Sequence, residues 1–300
     1  RGMADSEACW REMNASGKII LCVMLAVGCR QEAPAPEHPP RGTPISNRLA
    51  DPYSAFTDTS NTHLTRLIAG IIIARVAEGP AYLAGQYYSG RSALVRSVLD
   101  SLETTDPDQA AWLAASLLKN APGEEKLDFE IVLLRLGNVS VKPLTSLIST
   151  HADLQTRLQA LDALGKLGSR ASFESITACL QDSSTWIRMG AAHALGNLSG
   201  PQVLVALSEV LDDTSDVVVA ASLVALGKSG DPQSLPHIHP LLTHRNPRVR
   251  SAAASALGRL GQKESLNHLE QLLTDPDEGV RFKATRAARA IGSNSEDQSP

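Results

Sequence analysis

The sequence predicts an all-α chain: an α-α superhelix of stacked helix pairs, preceded by a helical neck and a disordered tether. Three observations carry that expectation. Hydrophobic residues make up 43% of the 300 residues and aromatics only 4%, a composition that suits tightly packed helices better than a sandwich or barrel. From residue 123 onward the pattern recurs every 31 residues, the length of a two-helix unit that buries its apolar face only by stacking on its neighbours. Between residues 30 and 60, Pro34, Pro36, Pro39, Pro40, Pro44 and Pro52 sit among polar residues, so that stretch has little to fold around.

Charge and cysteine content exclude several function classes. Lys and Arg number 28 against 32 Asp and Glu, a net charge of −4 with a pI near 6.1, which leaves no electrostatic footprint for nucleic acid. The cysteines (Cys9, Cys22, Cys29, Cys179) are too few and too badly placed for a disulfide framework, and no Cys and His set has zinc-finger spacing.

Residues 1–29 read as an export signal, with Met13 the expected start. Lys18 supplies a positive flank and Ile19 to Val27 an apolar run of nine residues, about 14 Å as a helix and half of a bilayer core, too short to span. The stretch Leu25-Ala26-Val27-Gly28-Cys29 resembles the lipobox of bacterial lipoproteins, departing from it in having Ala26 where the family has Leu. The resemblance implies lipidation of Cys29, which becomes the new N-terminus and anchors the chain in the membrane. Arg30, in place of the Asp associated with inner-membrane retention, implies the periplasmic face of the outer membrane in a two-membrane cell envelope. An ordinary secretory signal is the alternative.

Residues 30–60 form the tether and residues 61–122 an N-terminal helical segment. Leu64, Leu67, Ile68, Ile71, Ile72 and Val76 fall on helical spacing before Gly79-Pro80 ends the run. Two more helices are expected near 91–103 and 107–119. All four tyrosines (Tyr53, Tyr82, Tyr87, Tyr88) lie by this neck; Tyr87-Tyr88 reads either as a contact patch or as half-buried packing.

Residues 123–292 are the repeat, and 293–300 a disordered tail. Ala-Leu-Gly appears at 163–165, 194–196, 225–227 and 256–258, with degenerate copies at 132–134 and 287–289. In the same register Asp153, Ser184, Ser215, Asn246 and Asp277 are preferred helix N-caps. Gly137, Gly168, Gly230, Gly261 and Gly292, with Ser199 in the remaining slot, stand where a helix stops. Each unit is thus a helix of about 14 residues, a turn, and a second helix of about 11 to 12. Columns such as Ile176, Leu207, Ile238 and Leu269 give the second helix its buried face.

These columns resemble the short HEAT repeat of the type called PBS-lyase HEAT-like. The Asp column reads Asp182, Asp213, His244, Asp275, and the Arg column Arg157, Arg188, Val219, Arg250, Arg281. The resemblance implies that these Asp and Arg residues brace adjacent repeats. Val219 and His244 break both columns in one unit, where a local weakening or bend is expected.

Candidate chemistry is sparse. Cys179 shares an apolar column with Val210, Leu241 and Leu272, and a buried thiol is a poor nucleophile. His237 and His268 occupy one surface column in neighbouring repeats, about 10 Å apart, while His239 points to another face; solvated histidines are the default reading. No catalytic residue, metal or cofactor is assigned. The expected function is a membrane-tethered scaffold or adaptor that binds a protein or extended peptide in a groove lined by the second helices, at Glu174, Ser175, Gln202, Glu209, Gln233, His237, Asn267, His268 and Gln271. The C-terminal repeats carry the positive charge, 9 basic against 5 acidic residues over 245–292, compared with 8 against 13 over 123–244. The runner-up, implied by the resemblance alone, is a bilin-lyase-like enzyme or chromophore-handling protein.

Overall fold

A computed structural model describes residues 50–149 and 153–296. The export signal with Cys29, most of the tether and the last four residues lie outside the described residues. The chain falls into two compact units, one ending at Ser140 and one beginning at Val141. No strand occurs among the described residues.

The first unit contains α1 (Pro52–Thr57), α2 (His63–Ala74), α3 (Gly79–Gln86), a π-turn (Tyr87–Arg91), α4 (Ser92–Thr105), α5 (Pro107–Asn120) and α6 (Gly123–Leu136), closed by a 3-10 turn at Gly137–Ser140. Ordered structure therefore starts ahead of Asn61, inside the stretch expected to be a tether. The reason is Phe56, which is fully buried. The Asp51 carboxylate caps α1 by accepting the Tyr53 N–H, and Arg66 Nε donates to the Phe56 carbonyl at 3.0 Å. In α2 the large buried side chains are Leu67, Ile68, Ile71 and Ile73, while Leu64 in its first turn and Val76 just beyond it are exposed.

Gly79-Pro80 opens α3 instead of closing α2. Proline has no N–H to lose in a first turn, and a Cβ on Gly79 would overlap the Ile73 carbonyl oxygen at 1.7 Å. The tyrosine pair is packing: Tyr87 is buried edge-on to Phe129 at 5.7 Å and accepts from Arg96 Nε at 3.0 Å, and the Tyr88 hydroxyl donates to the Leu117 carbonyl.

The second unit runs α7 (Val141–Ser149), α8 (Leu154–Leu167), α9 (Phe173–Ala178), α10 (Thr185–Leu195), α11 (Pro201–Glu209), α12 (Asp216–Ser229), α13 (Leu235–Ile238), α14 (Pro247–Leu260), α15 (Leu266–Glu270) and α16 (Glu278–Glu296). The first helices of the repeats, α8, α10, α12, α14 and α16, stack in order. From α9 onward the second elements are shorter than expected because each ends in a 3-10 turn, such as Cys179–Gln181 or His239–Thr243; Pro236 and Pro240 make α13 the shortest of them.

Ala-Leu-Gly is the seam of this stack. Its leucines, Leu164, Leu195, Leu226 and Leu257, are fully buried. Its glycines lie on the alanine of the next copy: a Cβ on Gly165, Gly196, Gly227 or Gly258 would come within 2.8, 2.9, 2.6 or 2.8 Å of the Cα of Ala194, Ala225, Ala256 or Ala287. Behind the seam Ile176, Leu207, Ile238 and Leu269 are fully buried as well. First helices stop at Gly168, Gly230 and Gly261, each with φ between 62° and 69°. At the Ser199 slot α10 ends earlier and Gly200 takes the positive φ. Gly292 is no stop, since α16 continues to Glu296 and carries ordered helix into the segment expected to be a disordered tail.

A ladder of ion pairs joins successive repeats. Arg157 meets Asp182, Arg188 meets Asp213 at 2.7 Å and Arg250 meets Asp275 at 2.7 Å. Each carboxylate also accepts a backbone N–H two residues on, from Ser184, Ser215 or Asp277, at 2.8 Å. Arg188, Arg250 and Arg281 donate in addition to the backbone carbonyl six residues back, at Asp182, His244 and Asp275. The Arg188 and Arg250 hydrogen bonds hold the Asp213 and Asp275 carboxyls below the usual range; at Asp182 burial opposes the shift, but Arg157 and the Ser184 N–H outweigh it.

Val219 and His244 are partners in the one missing rung. Val219 is buried, His244 Nδ1 accepts the Asn246 N–H in place of the aspartate, and its Nε2 lies 3.8 Å from Asp216. Losing both members of a buried ion pair together leaves no stranded charge, so this rung need not be weaker than the others.

Two outcomes follow for stability. Gly227→Ala forces α12 off α14 and should cost about 2 kcal/mol in urea denaturation, whereas Gly85→Ala, with open space around it, should be neutral or gain up to about 1 kcal/mol. Carboxyls depressed in the folded state contribute stability above their unfolded value of about 3.9 and lose it as pH falls through the folded value. The urea midpoint should therefore drop as pH goes below about 4. Arg250→Gln should cost about 3 kcal/mol at pH 7 and show a shallower acid loss than the unaltered chain; a parallel acid profile would contradict the ladder.

Candidate functional site

The residues expected to contact a partner are on the second elements, and the structure leaves most of them at the surface. Glu174, Glu209, Gln233, His237, Asn267, His268 and Gln271 are exposed, and Ser175 and Gln202 are half-buried. The histidine geometry differs from the sequence reading. His239, not His237, meets His268, with rings stacked at 4.0 Å and 10°. The chain turns more tightly after Ile238, where α13 gives way to a 3-10 turn, and 3-10 winding advances each residue further round the axis than an α-helix does. Burial, then the neighbouring His268, lowers the His239 pKa. Cys179 is buried, and burial raises its thiol pKa against the opposing pull of Arg157. No cluster of three or more His, Cys, Asp or Glu that suits a metal ion occurs among the described residues.

Two concavities lie instead on the face made by the first helices. The larger, about 530 Å³, is floored by Leu158 of α8, Gly190 and Ala194 of α10, and Val224 and Ala225 of α12. Its rim carries Asp162, His193, Asn197, Lys228 and Arg259. The second, about 250 Å³, lies between α14 and α16 and includes Arg259, Lys283 and Arg286 over Gly258, Ala287 and Ala290. The seam produces this floor, because Gly and Ala bring the first helices together and leave a shallow trough where bulkier side chains would stand.

Charges on this face are unevenly satisfied. Asp162 pairs with Lys166 at 2.7 Å, and Lys228 Nζ contacts Asn197 Oδ1. Arg259, Lys283 and Arg286 make no ion pair with any described residue. The His193 imidazole is held below its ordinary pKa by burial first and by the Lys228 charge second, with Asp162 opposing. Large apolar side chains stand on the helix faces of both concavities: Leu154 and Trp186, 44% and 57% exposed, by the larger, and Phe282, 60% exposed, by the smaller. Each stands four residues ahead of a lining residue, Leu158, Gly190 and Arg286, and so shares its helix face.

A signal for this face was present in the repeat. Between the fixed alanines and just after Ala-Leu-Gly, two columns vary freely: Asp162, His193, Val224, Ser255 and Arg286, then Lys166, Asn197, Lys228, Arg259 and Ala290. Free variation inside an otherwise constrained helix marks positions that packing does not dictate.

Comparison with known proteins agrees with this architecture. The family described as HEAT repeats matches residues 141–227 and 211–289. No curated protein matches the chain. Among solved structures, a designed armadillo repeat protein in complex with the peptide (KR)4 is 18% identical, covering 70% of this chain and 98% of its own, with a TM-score of 0.45. The complex of CpcE and CpcF of phycocyanin lyase from Nostoc sp. is 26% identical, covering 61% of this chain and 77% of that one, with a TM-score of 0.43. Kap121p is 16% identical, covering 96% of this chain and 38% of its own length, with a TM-score of 0.44. Residues 141–289 of this chain are a run of HEAT repeats.

Proposed function

We propose that the second unit is a non-enzymatic scaffold that receives an extended segment of a partner protein along its first-helix face. One observation carries this reading: the columns that pack the array are constrained, while the columns that vary line a trough of about 530 Å³, with exposed Trp186 on the helix face that borders it and exposed Phe282 on the face that borders the smaller concavity. Small floor residues, aromatic neighbours and a polar rim are the anatomy of a recognition surface, where aromatic and Arg anchors carry most of the binding energy. A stacked array offers such a surface without requiring an enclosed pocket. The second-element face, at first sight the better candidate, is polar and carries the stacked His239-His268 pair, but the two concavities described above lie elsewhere.

The proposed place of action is the cell envelope, with Cys29 as the lipidated N-terminus of the mature chain and the Pro-rich residues after it as the leash. The support is the lipobox-like stretch alone. Several acyl chains on one residue hold a protein at a membrane where a single chain does not.

Both parts are testable in the host cell. A photo-crosslinking residue at His193 should yield a discrete adduct with a partner protein, and the same residue at His237 should yield none; adducts from position 237 only would move the site to the second elements. Cys29→Ala should abolish incorporation of a labelled fatty acid and release the chain from membranes, and an unlabelled, soluble wild-type chain would remove the anchor from the account.

A further inference from the structure

The chemistry of the trough narrows the partner further, on the reading that this face is the binding site. Positive charge is concentrated where the second unit ends. α14 contains Arg248, Arg250 and Arg259 and no acidic residue. In α16 Arg281, Lys283, Arg286 and Arg289 follow Glu278, and the next acidic residue is Glu296. Arg250 and Arg281 are used up within the ladder. Lys228, Arg259, Lys283 and Arg286 all line the concavities. The acids of the same repeats are elsewhere: Glu264 and Glu270 lie in the second elements, and Asp275 and Asp277 in the turn before α16. Among the described residues the one acid lining this trough, Asp162, is at its far end and paired with Lys166. Three guanidinium or ammonium groups, Arg259, Lys283 and Arg286, thus face a shallow apolar floor with no ion-pair partner among the described residues.

We propose that this face binds an acidic polypeptide segment punctuated by apolar residues, its carboxylates placed on Lys228, Arg259, Lys283 and Arg286 and its apolar side chains on the Gly-Ala floor beside Trp186 and Phe282. Arginine forks receive carboxylates bidentately, and exposed aromatics next to them supply desolvated anchors. The floor argues for a peptide over a nucleic acid. A nucleic acid backbone needs a long, continuous basic track, whereas here the cations are few and α8 contributes the Asp162 carboxylate. His193, on the rim between these charges, is a built-in reporter. A carboxylate seated beside it offsets the Lys228 charge that depresses it, so its titration moves upward when the segment binds.

The test is a fluorescence-anisotropy titration of the full chain with three labelled peptides of equal length: a Glu-Leu-Glu repeat, its Lys-Leu-Lys counterpart and a Ser-Leu-Ser counterpart, with single-stranded oligothymidylate as a fourth probe. The acidic peptide should bind and the basic one should not. Affinity should fall with salt, as expected for screened charges. Lys283→Glu with Arg286→Glu, both on the surface of the last helix, should weaken binding about tenfold or more with an unchanged far-ultraviolet spectrum. Lys263→Glu, a cation away from the trough, should leave it unchanged, and the His193 ring resonance should titrate at higher pH with peptide bound. Equal binding by the charge-reversed chain, or tighter binding of the oligothymidylate, overturns the proposal. Binding of the Ser-Leu-Ser peptide in preference overturns the acidic assignment and keeps the scaffold; failure of every peptide overturns both.

Discussion

The close approach of glycine to alanine along the first helices is the contact on which the rest of the second unit depends. Gly165, Gly196, Gly227 and Gly258 each press on the Cα of an alanine one repeat on, nearer than any Cβ would permit. That spacing sets the distance between layers, and the layer distance decides which Leu and Ile columns meet behind the seam. It also decides whether each Arg reaches the Asp of the following repeat. Backbones this close lose little entropy in side chains and gain dense dispersion contact. The ion-pair ladder then acts on top of an interface that already fits, fixing the turns between repeats more than holding the layers together.

The same seam explains how the fold produces a surface for recognition. Gly and Ala bring the first helices together, Ile176, Leu207, Ile238 and Leu269 are buried behind them, and the concavities lie over the Gly-Ala seam. A trough therefore arises as a by-product of packing, and the alanines of its floor, Ala194 and Ala225, belong to a column that is alanine in every copy from Ala163 to Ala287. Specificity has to come from the columns that packing leaves free, which is where His193, Lys228, Arg259 and Arg286 stand. The HEAT match spans residues 141–289; the charges on the first-helix face are the part of the array on which the proposed partner selection rests.

Legibility of the sequence followed the same division. Period, helix order and the Ala-Leu-Gly register were readable because packing imposes them on every copy, and so were the positions of the Asp and Arg columns. The start of ordered structure was missed because one buried aromatic, Phe56, outweighs a polar, proline-containing context. The end was missed because Gly292 resembles the stopping glycines in sequence but stays within a helix that continues to Glu296. The sequence pointed to the second elements as the contact face, whereas the concavities lie on the first helices. Spacing within a helix shows which residues share a face, but where a concavity forms depends on how closely neighbouring helices pack. His239 was assigned to the wrong side because the column argument assumed α-helical winding where the chain is 3-10. The missing rung at Val219 and His244 was readable as a break, and only the geometry shows both members absent from the same pair.

Hydrogen–deuterium exchange resolved by repeat tests the seam most directly. If the glycine–alanine contacts hold the array together, the amides of α10, α12 and α14, each flanked by a first helix on both sides, exchange slowest. The second elements with their 3-10 turns should exchange faster, and α16 should lose protection toward its C-terminal end. Slowest exchange in the second elements, with α10, α12 and α14 opening first, would contradict the account.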